Sequence, residues 1–220
     1  MRWNSDVEAS MKPRRQDLWR GLVEATLASI TERGYPATTI RDITERAGVN
    51  RTQFYFLFED KEECFLAVQR VVFGELEARL GLPSYDGLEW PERMKLGVDA
   101  VAEVFDEEPA IARLILLESP IAGPLAQEQH RQAVAKLMPH IDRGREMVAS
   151  ERQLPSSVGE MALGSVSAVL TREIQDRDMP SFSGASAQIY FALIMPFLGP
   201  NEAMDRARLA YPDATEVVHA

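Results

Sequence analysis

The sequence has few residues of the kinds that cross-link a chain or bind a metal. It contains one cysteine, Cys64, in 220 residues, so an internal disulfide bond is excluded, and a disulfide-stapled secreted scaffold with it. The three histidines share no spacing typical of metal ligands, so we expect no metal site; they are His130, His140 and His219. The sequence also lacks a phosphate-cradling glycine loop, an H-E-x-x-H motif and a nucleophile elbow. It therefore does not predict an enzyme, and it predicts no cofactor.

Long hydrophobic runs are absent as well. The best candidate, residues 189–198, is about half of the roughly 18 residues that a membrane-spanning helix needs. The first twelve residues lack the apolar segment of a secretory signal peptide. With 45% hydrophobic and 26% charged residues, the composition is that of an ordinary globular protein. We expect a cytoplasmic protein without a membrane partner.

An excess of positive charge is missing from the chain as a whole, whose formal net charge is -10. Residues 1–61 nevertheless contain ten Lys and Arg against nine Asp and Glu, whereas residues 62–220 contain fourteen against twenty-five. The acidic excess thus lies outside the N-terminal part and does not exclude nucleic-acid binding there. Lys12, Arg14 and Arg15 follow an N-terminal arm without periodicity. They are interpreted as solvated residues, although such residues can also lie along phosphates.

Residues 39–61 contain three helix-start signals and one helix-stop signal. Each start pairs a capping residue with an acidic or amide residue three positions later, which is the pattern of a capping box; the starts are at Thr39, Asn50 and Asp60. Gly48 can adopt the positive φ that ends a helix. Two short helices separated by a tight glycine-containing turn predict a helix-turn-helix.

The second of these helices has two chemically different faces. Val49 and Phe54 have the spacing of a hydrophobic staple, and Phe54, Leu57 and Phe58 share one face at helical spacing. The opposite face holds Arg51, Thr52, Tyr55 and Phe56. A guanidinium, a hydroxyl, a phenol and a ring suit the DNA major groove, whose edges offer hydrogen-bond acceptors and thymine methyl groups.

At these residues the sequence resembles the TetR family of bacterial transcriptional regulators. The residues that match the family pattern are Thr39-Ile40, Ile43, Ala47-Gly48-Val49, Phe54-Tyr55, Phe58 and Lys61-Glu62. Three positions depart from it: Asn50 replaces the usual serine or threonine cap, Gln53 stands where threonine is common, and Leu57 stands where histidine is frequent. The rest of the chain resembles the family only in its length and helical character.

The resemblance implies an all-α fold with a three-helix DNA-binding domain at residues 1–61 and a larger helical domain for effector binding and dimerisation at residues 62–220. It also implies a repressor that binds a palindromic double-stranded DNA operator as a homodimer and releases it when a small, mostly apolar molecule binds. The candidate DNA contacts are Arg41, Arg51, Thr52, Gln53, Tyr55, Phe56 and Lys61. Lys61 is expected to hold a phosphate, and Gln53 is expected mainly to close the capping box.

Two alternatives remain open from the sequence. One is a constitutive DNA-binding protein without an effector. The other is an enzyme or small-molecule carrier on the same helical body, for example with His140 paired to Glu118.

Hydrophobic periodicity and chain-breaking residues predict the remaining helices. The first should span residues 15–33, and the later ones residues 61–80, 90–105, 109–117, 125–151, 157–176, 183–198 and 201–209. A kink is expected at Pro139.

The candidate effector pocket and dimer interface lie in the predicted larger domain. The pocket candidates are Trp90, Met94, Phe105, Met138, Met147 and Met161, with Glu118 and His140 as polar partners. Each of these apolar residues also has a simpler interpretation as part of the core. The resemblance implies a four-helix dimer interface that involves Gly164, Ser165, Ala168, Ile189, Leu193 and Phe197. The alternative is that these two helices pack only within one subunit.

Overall fold

The computed structural model describes residues 11–81, 87–148, 154–176 and 180–214, and the N-terminal arm and His219 lie outside these ranges. All regular secondary structure in the described ranges is helical, which confirms the all-α prediction. The first helix, α1, spans Pro13–Arg33. It begins before the predicted residue 15 because Pro13, whose φ is preset and whose missing N–H is not needed there, occupies the first turn. It ends at Gly34, whose φ is 78°.

Helices α2 and α3 form the predicted helix-turn-helix. They span Ile40–Ala47 and Arg51–Tyr55, and Gly48 between them is left-handed, with φ 67° and ψ 29°. Helix α3 is shorter than the pattern predicted, but the Phe58 N–H still donates to the Phe54 carbonyl at 3.0 Å. Phe54 and Phe58 are therefore both buried, as their spacing indicated.

Helix α4 spans Lys61–Leu80. Its predicted capping box is half formed: Asp60 accepts from the Glu63 N–H at 2.8 Å, but the Glu63 carboxylate accepts from Glu59. The helix is buried on several sides, and Cys64 in its first turns is fully buried, 3.1 Å from the Thr26 hydroxyl. Burial raises the pKa of Cys64 to about 12, as expected of a thiol that packs in the core.

The remaining helices follow in order. They are α5 at Trp90–Glu107, α6 at Pro109–Arg113 with a π-helical continuation at Leu114–Glu118, α7 at Pro124–Ala135, α8 at Met138–Asp142 with a 3-10 turn at Arg143–Met147, α9 at Val158–Asp176, α10 at Ser186–Leu198 and α11 at Pro200–Ala210.

The predicted single helix over residues 125–151 is wrong. The chain leaves the helical path after Ala135, and Pro139 lies in the first turn of a separate short helix. Proline lacks the N–H that a continuous helix needs, so the chain breaks where a kink was expected. Residues 149–151 of that prediction lie outside the described ranges.

The chain forms two compact units. The first contains Met1–Ala78 and Glu108–Ala133, and the second contains Arg79–Glu107 and Val134–Ala220. The first unit has a core that includes Leu22, Ile43, Phe54 and Phe65. In the second, the Trp90 and Phe197 rings pack edge to face at 5.0 Å, and Phe105 and Phe182 do so at 5.2 Å. The predicted functional boundary near residue 61 stays a prediction.

Candidate nucleic-acid interface

Local hydrogen bonds set the start of α2. The Thr39 N–H donates to the Asp42 carboxylate at 2.9 Å, and the Asp42 N–H donates to the Thr39 hydroxyl at 3.2 Å. The Thr39 hydroxyl also donates to the Asp42 carboxylate, which lowers the pKa of that carboxyl. Ile43 is fully buried, so the polar face of α2 points outward.

The start of α3 is held by a capping box of the same kind. The Asn50 N–H donates to the Gln53 side-chain oxygen at 2.9 Å, and the Gln53 N–H donates to the Asn50 side-chain oxygen at 2.9 Å. Phe54 lies in the core, with its ring 5.7 Å from that of Phe58. The capping box thus fixes the start of α3, and the packing of Phe54 fixes the region near its end. A helix of five residues needs such contacts, because so short a helix is not stable by itself.

The outward face of α3 is polar and aromatic. Its exposed residues are Arg51, Thr52, Gln53, Tyr55 and Phe56, which are the candidate DNA contacts of this helix. Tyr55 is 54% exposed and Phe56 is 64% exposed. A helix that presents hydrogen-bond donors next to two exposed rings matches the chemistry of the major groove, whose edges offer acceptors and methyl groups.

Arg41 on α2 is exposed but not without a partner. Its Nε donates to the Glu45 carboxylate at 2.7 Å, one helical turn further along. Such an exposed pair is weak, so a phosphate can replace Glu45 at small cost. The predicted DNA contact of Arg41 therefore requires an exchange of partners.

Lys61 is engaged inside the first unit. Its ammonium donates to the carbonyls of Tyr35 and Thr38 at 2.8 Å each and lies 4.1 Å from the Tyr35 ring centroid. Partial burial lowers the pKa of Lys61. An ammonium has three N–H donors, so one remains for the predicted phosphate contact.

The loop between α1 and α2 is also held by a carboxylate. Glu118, at the end of the π-helical turn, is 3% exposed and accepts from the Tyr35 N–H at 2.8 Å. The Arg113 Nε lies 3.5 Å from the same carboxylate. Glu118 was predicted as a pocket residue, and its carboxylate is instead committed to this loop. Sequence reasoning missed this role because the two partners are 83 positions apart.

The predicted pocket residues have different environments. Trp90, Met94 and Phe105 are buried in the core of the second unit, and Met138 and His140 are half-buried. The Trp90 indole donates to the His140 backbone carbonyl at 3.0 Å, so this link does not use the imidazole. Met147 and Met161 are 38% and 58% exposed, which places them on the surface and corrects their assignment to an interior lining.

The predicted dimer residues also divide into two groups. Gly164, Ser165 and Ala168 on α9 are exposed in the single chain, as a contact surface must be. Ile189, Leu193 and Phe197 on α10 are buried within the subunit itself, at 2%, 8% and 1% exposure. These three side chains belong to the subunit core, so on α10 they do not offer a surface to a partner.

One family model matches the chain. It is described as bacterial regulatory proteins, tetR family, and it matches residues 22–68. That segment contains the core face of α1, both capping boxes, Gly48 and the outward face of α3. Residues 22–68 are therefore similar to the N-terminal segment of TetR-family regulators.

Solved structures of TetR-like folds resemble this one over most of its length. The fatty acid degradation regulator FadR from Bacillus halodurans superposes with a TM-score of 0.69 at 16% identity, covering 84% of this chain and 96% of that one. FadR from Bacillus subtilis, in complex with stearoyl-CoA, gives 0.69 and 16%, covering 82% and 98%. AibR in complex with isovaleryl coenzyme A and operator DNA gives 0.63 and 14%, covering 83% and 99%. Identities this low establish a shared fold. Comparison with curated proteins found no match.

The departures from the TetR pattern do not disturb the site. Asn50 and Gln53 form a complete capping box in place of the usual serine or threonine cap. Leu57, at a position where the TetR family often has histidine, is half-buried beside the core face of α3. In the described ranges, no helix is both long enough and apolar enough to cross a membrane.

Proposed function

We propose that this chain is a TetR-family repressor that binds a palindromic operator as a homodimer. The observation that carries the proposal is the outward face of α3, where a donor-rich and aromatic surface stands on a helix capped at its start and buried on its other side. Arg51 is the best candidate for base reading, because a guanidinium binds the two acceptors of guanine in a bidentate manner.

Dimerisation follows from the size of α3. A helix of five residues reaches only a few base pairs, so affinity and specificity require a second copy. Two copies related by a two-fold axis read inverted half-sites about one helical turn apart. The exposed small residues of α9 are the proposed contact between the copies.

We further propose that binding of a small, mostly apolar molecule in the second unit releases the operator. Trp90, Met94 and Phe105 are buried apolar residues there, against which such a molecule would pack. Two structural relatives were solved with acyl-coenzyme A molecules, stearoyl-CoA and isovaleryl coenzyme A. An acyl thioester, with an apolar chain and a polar head, is therefore the first effector class to test. The proposed route to α3 is α4, whose last two residues are assigned to the second unit.

The experiment begins with selection of bound duplexes from a random DNA library. We expect an inverted repeat, and Arg51→Ala should lower affinity for it and relax preference at one base, by roughly 1 to 3 kcal/mol per guanine contact. Acyl-CoA esters of increasing chain length are then titrated into the complex. Coupling of about 1 to 3 kcal/mol would weaken binding roughly 5- to 150-fold. If no duplex is enriched, the proposal of a repressor is contradicted. If a duplex is enriched but no ester changes its binding, the result supports a constitutive DNA-binding protein.

A further inference from the structure

The ring of Phe56 has a cation over its face. The guanidinium carbon of Arg15 lies 5.3 Å from the Phe56 ring centroid. This is within the roughly 6 Å over which a cation is attracted to an aromatic face. Arg15 comes from the first turn of α1 and Phe56 follows the last residue of α3, so the contact joins the start of α1 to the end of α3.

This contact changes the interpretation of Phe56. Sequence reasoning assigned its ring to a thymine methyl group. A ring with one face under a guanidinium has less apolar surface left for a methyl group. The guanidinium, by contrast, gains a fixed orientation and keeps its N–H donors at its rim, where a phosphate binds.

The distribution of charge around the site supports the same conclusion. The two arginines of α2 and the last residue of α1 have carboxylate partners: Arg41 pairs with Glu45, Arg46 with Glu32 and Arg33 with Asp42. Lys61 is held by two backbone carbonyls. Arg15 is exposed, and the first turn of its helix contains no acidic residue. Among the described residues no carboxylate pairs with Arg15, so the pair formed by Arg15 and Phe56 is a positive group that can meet DNA without first losing such a partner.

We propose that Arg15 contacts a DNA phosphate beside the half-site read by α3, and that Phe56 is its positioning residue. The inference rests on the proposed function and adds a specific contact to it. A phosphate contact carries no base information, so its loss lowers affinity for all sequences about equally.

The test uses the full-length chain and two duplexes, one recovered by selection from a random library and one of scrambled sequence. The variants are Arg15→Ala, Phe56→Leu, the double variant, and Arg14→Ala as a control that removes the same charge from the adjacent exposed position. Phe56→Leu keeps an apolar side chain that can touch a thymine methyl but removes the ring. Arg15 and Phe56 are both exposed, so we expect their variants to fold. A melting temperature equal to that of the wild type verifies this for each variant.

We expect Arg15→Ala to reduce the slope of log affinity against log salt by about 0.9 per subunit. Phe56→Leu should lower affinity for both duplexes by about 2- to 5-fold per subunit, the equivalent of an exposed cation–π contact. The double variant should be no weaker than Arg15→Ala alone, since Phe56 acts through Arg15. Ethylation of one phosphate per half-site should impair the wild-type chain and not Arg15→Ala.

Three results would overturn the inference while the proposed function stands. One is an Arg15→Ala variant that binds like Arg14→Ala. Another is additive loss in the double variant. The third is a Phe56→Leu effect restricted to duplexes with a particular thymine, at unchanged salt slope. Failure of the wild-type chain to bind any duplex instead overturns the proposed function itself.

Discussion

At the scale of single residues, Gln53 shows how one side chain on the outward face of α3 serves the fold. Its side-chain oxygen accepts from the Asn50 N–H, and its own N–H donates to Asn50, so both polar ends of the turn are satisfied. Gln53 is exposed, yet its amide is oriented toward the Asn50 N–H, which disfavours the bidentate geometry that reads an adenine.

Replacement of Gln53 by alanine should therefore lower stability more than specificity. Loss of the capping interaction should reduce the free energy of unfolding by about 0.5 to 2 kcal/mol, as measured by chemical denaturation. Gln53→Glu retains an acceptor for the Asn50 N–H and serves as the matched control, with stability close to that of the wild type. A loss of binding restricted to adenine-containing half-sites, at unchanged stability, would show that Gln53 reads a base.

At the scale of elements, the loop between α1 and α2 is held by two charged groups of opposite sign. Glu118 accepts from the Tyr35 N–H, and Lys61 donates to the Tyr35 carbonyl. Burial, together with the carboxylates of Glu62 and Asp60, raises the pKa of the Tyr35 phenol to about 12. Because Tyr35 lies in the loop that leads into α2, the position of α2 depends on Glu118, at the end of the π-helical turn.

Glu118→Ala should leave the Tyr35 N–H without its partner and Arg113 without its carboxylate. The expected loss in the free energy of unfolding is about 1 to 3 kcal/mol. Glu118→Gln keeps an acceptor for the Tyr35 N–H and should lose less. Calorimetry compares the three proteins, and an alanine variant as stable as the wild type would show that the loop is held by other contacts.

At the scale of the whole molecule, α9 offers the surface through which two copies are proposed to associate. Gly164 and Ala168 are exposed and small, so a partner helix can approach closely. Because neither residue is part of the subunit core, a charged side chain placed at either position should leave the monomer folded.

Ala168→Glu should therefore give a folded monomer that no longer binds the full operator. Light scattering measures the mass, and circular dichroism verifies the helical content. Leu209→Glu on α11, where leucine is 84% exposed, adds the same charge elsewhere and should remain dimeric. If Ala168→Glu also remains dimeric, α9 is not the contact surface.

The sequence by itself determined the helix-turn-helix and its two faces. Thr39, Gly48 and Asn50 act on backbone groups within a few positions of themselves, and Phe54 and Phe58 are separated by one helical turn. Interactions this local are encoded in spacing, so they can be predicted without a fold. The family pattern and the outward face of α3 follow from the same residues.

Tertiary structure alone decided which side chains already have partners within the chain and which lie on the surface. The Lys61 ammonium lies on carbonyls 23 and 26 positions away, and Glu118 reaches Tyr35 across 83 positions. Met161 lies on the surface and Phe197 in the core, although both are apolar residues on helices. Spacing along one helix specifies which residues share a face but not what that face meets, because the partner comes from a distant part of the chain.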